Sequence, residues 1–312
     1  MKTINTASKG LSGKSLLKRM AEFKHIYIML TPALLYYLVL RYIPMFGNII
    51  AFQDYSITRG FLESPFVGLR NFEEFLNNYK FWELLKNTLS ISFMQLLFAF
   101  PAPILLSLLL NEVRNMKFKK AVQTITYMPH FISTVVISSL ILTFVSSDGM
   151  INGIRGLFGA EPIAFMTDPK YFRTIYVASG IWQSIGWNSI IYIANMSSID
   201  VALYEAATID GAGRFKQALH ITLPGISETI VILLIMNVGQ MLSIGYEKII
   251  LLYNPAIYET ADVISTYVYR RGLLEGSYSY SAAVGMFNSV INLALLISAN
   301  SISKKIKGSG LW

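Results

Sequence analysis

The chain has 312 residues, 54% of them hydrophobic and 14% charged, with a mean hydropathy of +0.49. A soluble domain carries about 25% charged residues, so this balance marks an integral membrane protein. With no cysteine, disulfides and thiolate metal sites are excluded, and the net charge of +8 is scattered in short runs between apolar segments, which signals topology rather than a nucleic-acid-binding face.

Residues 1–24 form a polar, basic lead-in carrying Lys2, Lys9, Lys14, Lys18, Arg19 and Lys24 against Glu22. Its "SKGLSGKS" looks briefly like a phosphate loop, but Ser8 stands where that motif needs its first glycine, and no apolar strand precedes it. The plain reading is a basic flank that meets anionic lipid.

A membrane span needs about 20 mostly apolar residues. Six stretches qualify: 25–46, 88–110, 121–145, 173–196, 227–246 and 282–302. The first is too long for a cleaved signal peptide and lacks a clean small-residue cleavage site. Between spans, 47–85 mixes aromatics, glycine and acids and reads as a lid or short helices at one membrane face; 147–172 and the tyrosine-rich 247–281 lie on the same face. Pro101, Pro103 and Pro129 fall inside spans and predict kinks, either for packing shape or where a helix lines a cavity.

Lys and Arg concentrate in the N-terminal tail, at Arg114, Lys117, Lys119 and Lys120, and at Lys304, Lys305 and Lys307. The positive-inside rule puts both termini in the cytoplasm, together with the segment between the fourth and fifth spans.

That segment, "LYEAATIDGAGRFKQALHITLPGI", stands out for its polarity. Asp200 is a plausible cap for a helix running to Ala207, "DGAG" supplies a turn, and "RFKQALHI" is a second short amphipathic helix before Pro224. The product is a helix–turn–helix knuckle able to dock in a groove of a partner.

Glu205-Ala206-Ala207, Asp210-Gly211-Ala212-Gly213 and Ile221-Thr222-Leu223-Pro224, in this order and spacing, resemble the EAA–G–I-LP signature of permease subunits in binding-protein-dependent ABC importers. The resemblance covers about 85–303, and "YIPMFGNIIAFQDYS" with "FVGLRNFEEF" is similar to maltose-type sugar permeases, nearest the branch that moves oligosaccharides and polysaccharide fragments such as alginate. It implies an all-α integral membrane fold, a type I ABC importer transmembrane domain of six helices, multi-pass in the cell membrane. It further implies that the knuckle is a coupling helix seated in an ATPase subunit, with Glu205 paired to a basic residue there and Gly211 and Gly213 permitting the tight turn. On this reading 1–24 is a basic cytoplasmic tail, 25–84 the first span with an external segment, 85–303 the permease core and 304–312 a cytoplasmic tail.

Sugar passage calls for aromatic faces and hydrogen-bonding side chains inside the membrane. "GIWQSIGWNS" supplies Trp182, Gln183, Trp187 and Asn188; "MPHFIS" supplies His130; "MNVGQMLSIGYE" supplies Asn237, Gln240 and Met241. The same residues also suit helix packing. Counted without gaps from the EAA motif, the sugar-contacting positions of maltose-type permeases correspond to Gln183, Ser184, Trp187, Asn237, Met241 and Ile244, and "P-x-FIS" adds His130. Residue types differ from the maltose pattern at most of these positions, so the location is shared while the sugar differs.

The resemblance implies a non-enzymatic permease that binds no cofactor. ATP and Mg2+ would be used by two partner ATPase subunits, a second permease subunit would complete a heterodimer, and an extracytoplasmic binding protein would deliver the oligosaccharide. Lipid surrounds the chain, and nucleic acid is not among its partners. The alternatives are the same kind of importer for a non-sugar solute, or an ion-coupled secondary transporter, against which the absence of an internal repeat and the scarcity of mid-membrane charges weigh. A membrane enzyme would want a nucleophile–base pair or metal cluster, which His25, His130 and His220 do not supply.

Overall fold

The computed structural model describes Ala21, residues 23–308 and 310–312; Lys2–Arg19, Glu22 and the "SKGLSGKS" stretch lie outside the described residues. Among these residues every regular element is helical, and the sole strand-like pairing is one isolated bridge, Gln53 with Phe66.

The first apolar stretch forms α1, Lys24–Phe52, and no residue of its Lys24–Tyr37 portion is buried against the rest of the chain. The following segment folds back as α2, Arg70–Leu76. Asn71, buried there, donates from Nδ2 to the Ala51 and Gln53 carbonyls at 2.8 and 3.1 Å, which ties α2 to the end of α1. Phe75 packs edge-on against Phe81, Tyr280 and Phe287, so the expected lid is anchored by an aromatic cluster.

The second span is α3, Phe81–Glu112. The prolines expected to kink it follow a π turn, Gln95–Ala99, in which the Phe100 N–H reaches the Gln95 carbonyl at 3.0 Å. This widened turn satisfies the backbone ahead of Pro101, so α3 continues as one helix.

The third span is broken. It consists of α4, Met116–Phe131, and α5, Thr134–Phe144, bent by 104°. Asn115 caps α4 and Ser133 caps α5. Pro129 sits in the 3-10 turn that closes α4, and Ile132 and Ser133 are extended, so the chain turns where helical hydrogen bonding has ended.

After α6, Met150–Leu157, comes α7, Pro169–Met196, a helix of 28 residues. Asp168 caps it at the Lys170 N–H, 3.1 Å away, and that backbone bond, ahead of the Lys170 ammonium, lowers the Asp168 carboxyl below its ordinary range. α7 has the length of a span, but Trp182, Gln183, Ser184 and Asn188 keep it below the apolar composition of one.

The knuckle is built from α8, Val201–Ile209, and α9, Arg214–Gly225; α9 bends by 61° into α10, Ser227–Val238. The fifth span therefore ends at Val238, earlier than the expected 246, because residues 239–245 turn away from the helix axis. Asn288 donates to the Leu242 carbonyl at 3.0 Å, and the Asn292 carboxamide accepts from the Leu242 N–H at 3.0 Å, which fixes this turn on α13, Tyr278–Lys307.

The segment 247–281, expected as an outer loop, instead contributes to the core through α11, Tyr246–Leu252, and α12, Ile264–Tyr269. Ile249, Leu252 and Val263 join Ile137, Tyr176 and Val177 in one buried cluster. A second cluster, Ile104, Tyr192, Met196 and Ile226, closes the end of the bundle next to the knuckle. Along α7 a close crossing with α4 requires Gly186, since a Cβ there would run into the Thr126 carbonyl.

Candidate functional site

Three helices, α3, α7 and α10, leave a cavity of about 530 Å3 between them. Its wall includes Gln95 from α3, Ser184, Trp187 and Asn188 from α7, and Asn237 from α10. A second cavity of about 200 Å3 shares Gln95 and Asn237 and extends the line to Ser92, Gln240, Met241 and Ile244. Neither wall contains a charged side chain.

Four of the lining side chains, Ser92, Ser184, Trp187 and Asn237, have a local reason for their position. The Ser184 hydroxyl donates to the Gly180 carbonyl at 2.7 Å and Asn237 Nδ2 to the Leu233 carbonyl at 2.8 Å, both satisfied one turn back on their own helices. Ser92 donates to the Met241 carbonyl, joining α3 to the turn after α10. Trp187 is stacked on His130 with ring centroids 4.5 Å apart and planes 3° apart, and Phe131 meets it edge-on at 5.4 Å. Packing of this kind holds the indole in one orientation beside the cavity.

Of the residues read from sequence, Ser184, Trp187, Asn188, Asn237, Gln240, Met241 and Ile244 are brought to these two cavities. His130 does not line them; it backs Trp187. Gln183 is half-buried outside both walls, and Trp182 is 46% exposed on another side of α7. Gln95, which lines both, was missed by the sequence reading, although a lone glutamine in an apolar span is the signal that would have found it. The arrangement offers amides, hydroxyls and an indole face in an uncharged channel, groups that match the hydroxyls and apolar ring faces of a sugar.

At the knuckle, the Asp200 carboxylate accepts from the Ala202 N–H at 2.9 Å and starts α8. Gly211 has φ +76°, the left-handed conformation that ends α8, whereas Gly213, with φ −69°, is an extended residue before α9. The turn expected to need both glycines thus depends on Gly211. Tyr204 and Thr222 hydroxyls meet at 2.9 Å, and Gln217 Nε2 donates to Thr208 Oγ1 and the Ala212 carbonyl, each at 3.0 Å, clamping the two limbs. Glu205, Ala206, Asp210, Gly211, Gly213 and Pro224 are exposed; Ala207, Ala212 and Leu223 are half-buried between the limbs. The tip also exposes Ile209 at 87% and Phe215 at 81%, an apolar pair beside acidic groups. Arg214 Nε lies 3.9 Å from the Glu112 carboxylate at the end of α3. Among the described residues no group of three or more His, Asp or Glu side chains could hold a metal ion.

The family described as binding-protein-dependent transport system inner membrane component matches residues 103–308. Protein LplB of Bacillus subtilis (strain 168) is 45% identical over 308 residues, covering 98% of this chain and 96% of its own. The polygalacturonan/rhamnogalacturonan transport system permease protein YteP of the same organism is 45% identical over 300 residues, covering 96% and 94%. Among solved structures, a bacterial ABC transporter involved in the import of the acidic polysaccharide alginate matches with TM-score 0.86 and 43% identity over 94% of this chain and 99% of that one. A bacterial alginate ABC transporter in complex with a periplasmic protein bound to alginate pentasaccharide matches with TM-score 0.87 and 42% identity, covering 95% and 99%.

Proposed function

The chain belongs to the binding-protein-dependent transport system inner membrane component family, and on that premise we propose that its paired cavities are half of the pathway by which an ATP-driven importer moves an oligosaccharide across the cell membrane. It is a multi-pass permease subunit of the ABC type and not an enzyme. The observation that carries the pathway reading is the uncharged wall running from Ser92 and Gln95 to Asn237 and Trp187, polar where the surrounding helices are apolar.

The remaining parts of the machine follow from the same reading. A second permease subunit supplies the other wall, and a binding protein delivers the sugar at the face formed by 47–85 and 147–172. Two ATPase subunits, which use ATP and Mg2+, receive the exposed tip of the knuckle, with Glu205 facing a basic residue and Ile209 and Phe215 filling an apolar cleft. The basic runs at Arg114–Lys120 and Lys304–Lys305 support a cytoplasmic position for the knuckle and both termini. The domain limits proposed are 1–24, 25–84, 85–303 and 304–312.

ATP-dependent uptake by the reconstituted complex tests both assignments. Trp187→Ala and Asn237→Ala are expected to slow uptake by about tenfold or more, each removing a contact of about 1.5 kcal/mol or more, while Trp182→Ala stays close to wild type. Glu205→Lys is expected to abolish uptake and weaken co-purification of the ATPase. Equal uptake by the Trp187, Asn237 and Trp182 variants would move the pathway elsewhere.

A further inference from the structure

Lys248 stands on α11 and lines neither of the two cavities. Its Nζ is shielded from solvent and has no hydrogen-bond partner. No carboxylate lies within 4.0 Å of it, and the face of the Tyr176 ring, 5.5 Å away, is the group that meets the ammonium. Nζ lies beside Gly180 of α7: a Cβ built there would stand 4.0 Å from it, an ordinary contact distance.

Withdrawing an ammonium from water without an ion-pair partner is costly, and a cation–π contact returns only part of that cost. A cation retained at such a cost asks for a ligand that the free chain does not hold. Its position says where that ligand comes from. Gly245, the extended residue that precedes α11 and stands three positions before Lys248, lines the second cavity. Ser184, one turn along α7 from Gly180 and about 6 Å away along the axis, lines the first. The flexible four-carbon stem of a lysine bridges that interval. The walls themselves contain no charged side chain.

We infer that Lys248 reads a carboxylate of the transported sugar, so that the pathway is specific for acidic oligosaccharides built from uronic acid residues. This rests on the oligosaccharide-importer reading above. The carboxylate enters beside Ser184, the ammonium swings from the Tyr176 ring to meet it, and the two form a charge-assisted hydrogen bond.

The test uses the whole complex in proteoliposomes, with its binding protein loaded in advance with trigalacturonate or with the fully methyl-esterified, neutral trisaccharide. Lys248→Gln is expected to slow trigalacturonate uptake by about tenfold or more, while Lys248→Arg, which keeps the charge, retains most of it. Lys248→Met is expected to raise the thermal midpoint of the permease, because it removes an unpartnered buried charge. A lysine serving only to pack on Tyr176 would give the opposite: a lower midpoint and unchanged uptake. Wild-type uptake of the neutral sugar with no uptake of the acid, or equal acid uptake by the Gln variant, overturns this inference and leaves the importer reading standing. Failure of both sugars in an assembled complex that hydrolyses ATP overturns the oligosaccharide reading, and this inference with it.

Discussion

At the scale of single residues, the most consequential pair outside the cavities is Asp262 with Arg270. The Asp262 side chain is 1% exposed and accepts two parallel hydrogen bonds from the guanidinium, at 2.9 and 2.5 Å, while Thr266 Oγ1 donates to it at 2.6 Å. The Asp262 carbonyl also accepts from Asn87 Nδ2 on α3. Removing one member of a buried ion pair leaves the other desolvated and uncompensated. Asp262→Asn is therefore expected to cost about 3 kcal/mol of stability, read as a lower midpoint in thermal unfolding of the detergent-solubilised complex. By contrast, the exposed Arg70–Asp54 contact at 3.6 Å is screened, and its loss is expected to be hardly measurable.

At the scale of elements, the knuckle separates two glycines that look equivalent in "DGAG". Only Gly211 occupies the left-handed region, where an L side chain is strained by about 1 kcal/mol. Gly213 has an ordinary extended backbone and open space where a Cβ would stand. Gly211→Val is expected to disturb the orientation of α8 against α9 and reduce uptake per ATP hydrolysed, whereas Gly213→Ala leaves that ratio unchanged. Simultaneous measurement of ATPase rate and sugar uptake separates the two. The same element shows what was legible in the sequence. Asp200 as a cap, the turn and the second helix could be read because capping and turn chemistry are local. The clamp of Gln217 on Thr208 could not, because it depends on how two helices cross.

At the scale of the whole molecule, hydropathy located the apolar helices because the bilayer imposes their length and composition. It gave no direction, so the 104° bend between α4 and α5 was reduced to a proline kink. Nor could it see that "EKIILLYN" returns to the core, since a charged residue beside a short apolar run reads as loop. The cavity was half legible: Trp187 and Asn237 are conspicuous in apolar surroundings, while Gln95 acquires meaning only when α3 is laid against α7 and α10.

One large surface remains without a neighbour in the chain. The apolar window of α1 is 0% buried, against 22% for α3 and 17% for α13. A helix apolar on all sides suits lipid, but the proposed second permease subunit must also find a surface on this chain. Its 29 residues, about 43 Å long, exceed the hydrocarbon thickness, and Lys24 and Arg41, about 25 Å apart along the axis, suit the two interfaces as anchors. Between them Leu34, Leu35 and Leu38 form an exposed apolar stretch free of charge. If this stretch packs on the second permease, Leu34→Cys, the only thiol in a chain that has no cysteine of its own, will cross-link to cysteines placed along that subunit's spans. Cross-linking is expected at positions spaced three or four residues apart, the repeat of a helix face. Uniform absence of cross-links, with efficient labelling of the same cysteine by a lipid-soluble maleimide, would assign this face of α1 to lipid and require the heterodimer to be joined elsewhere.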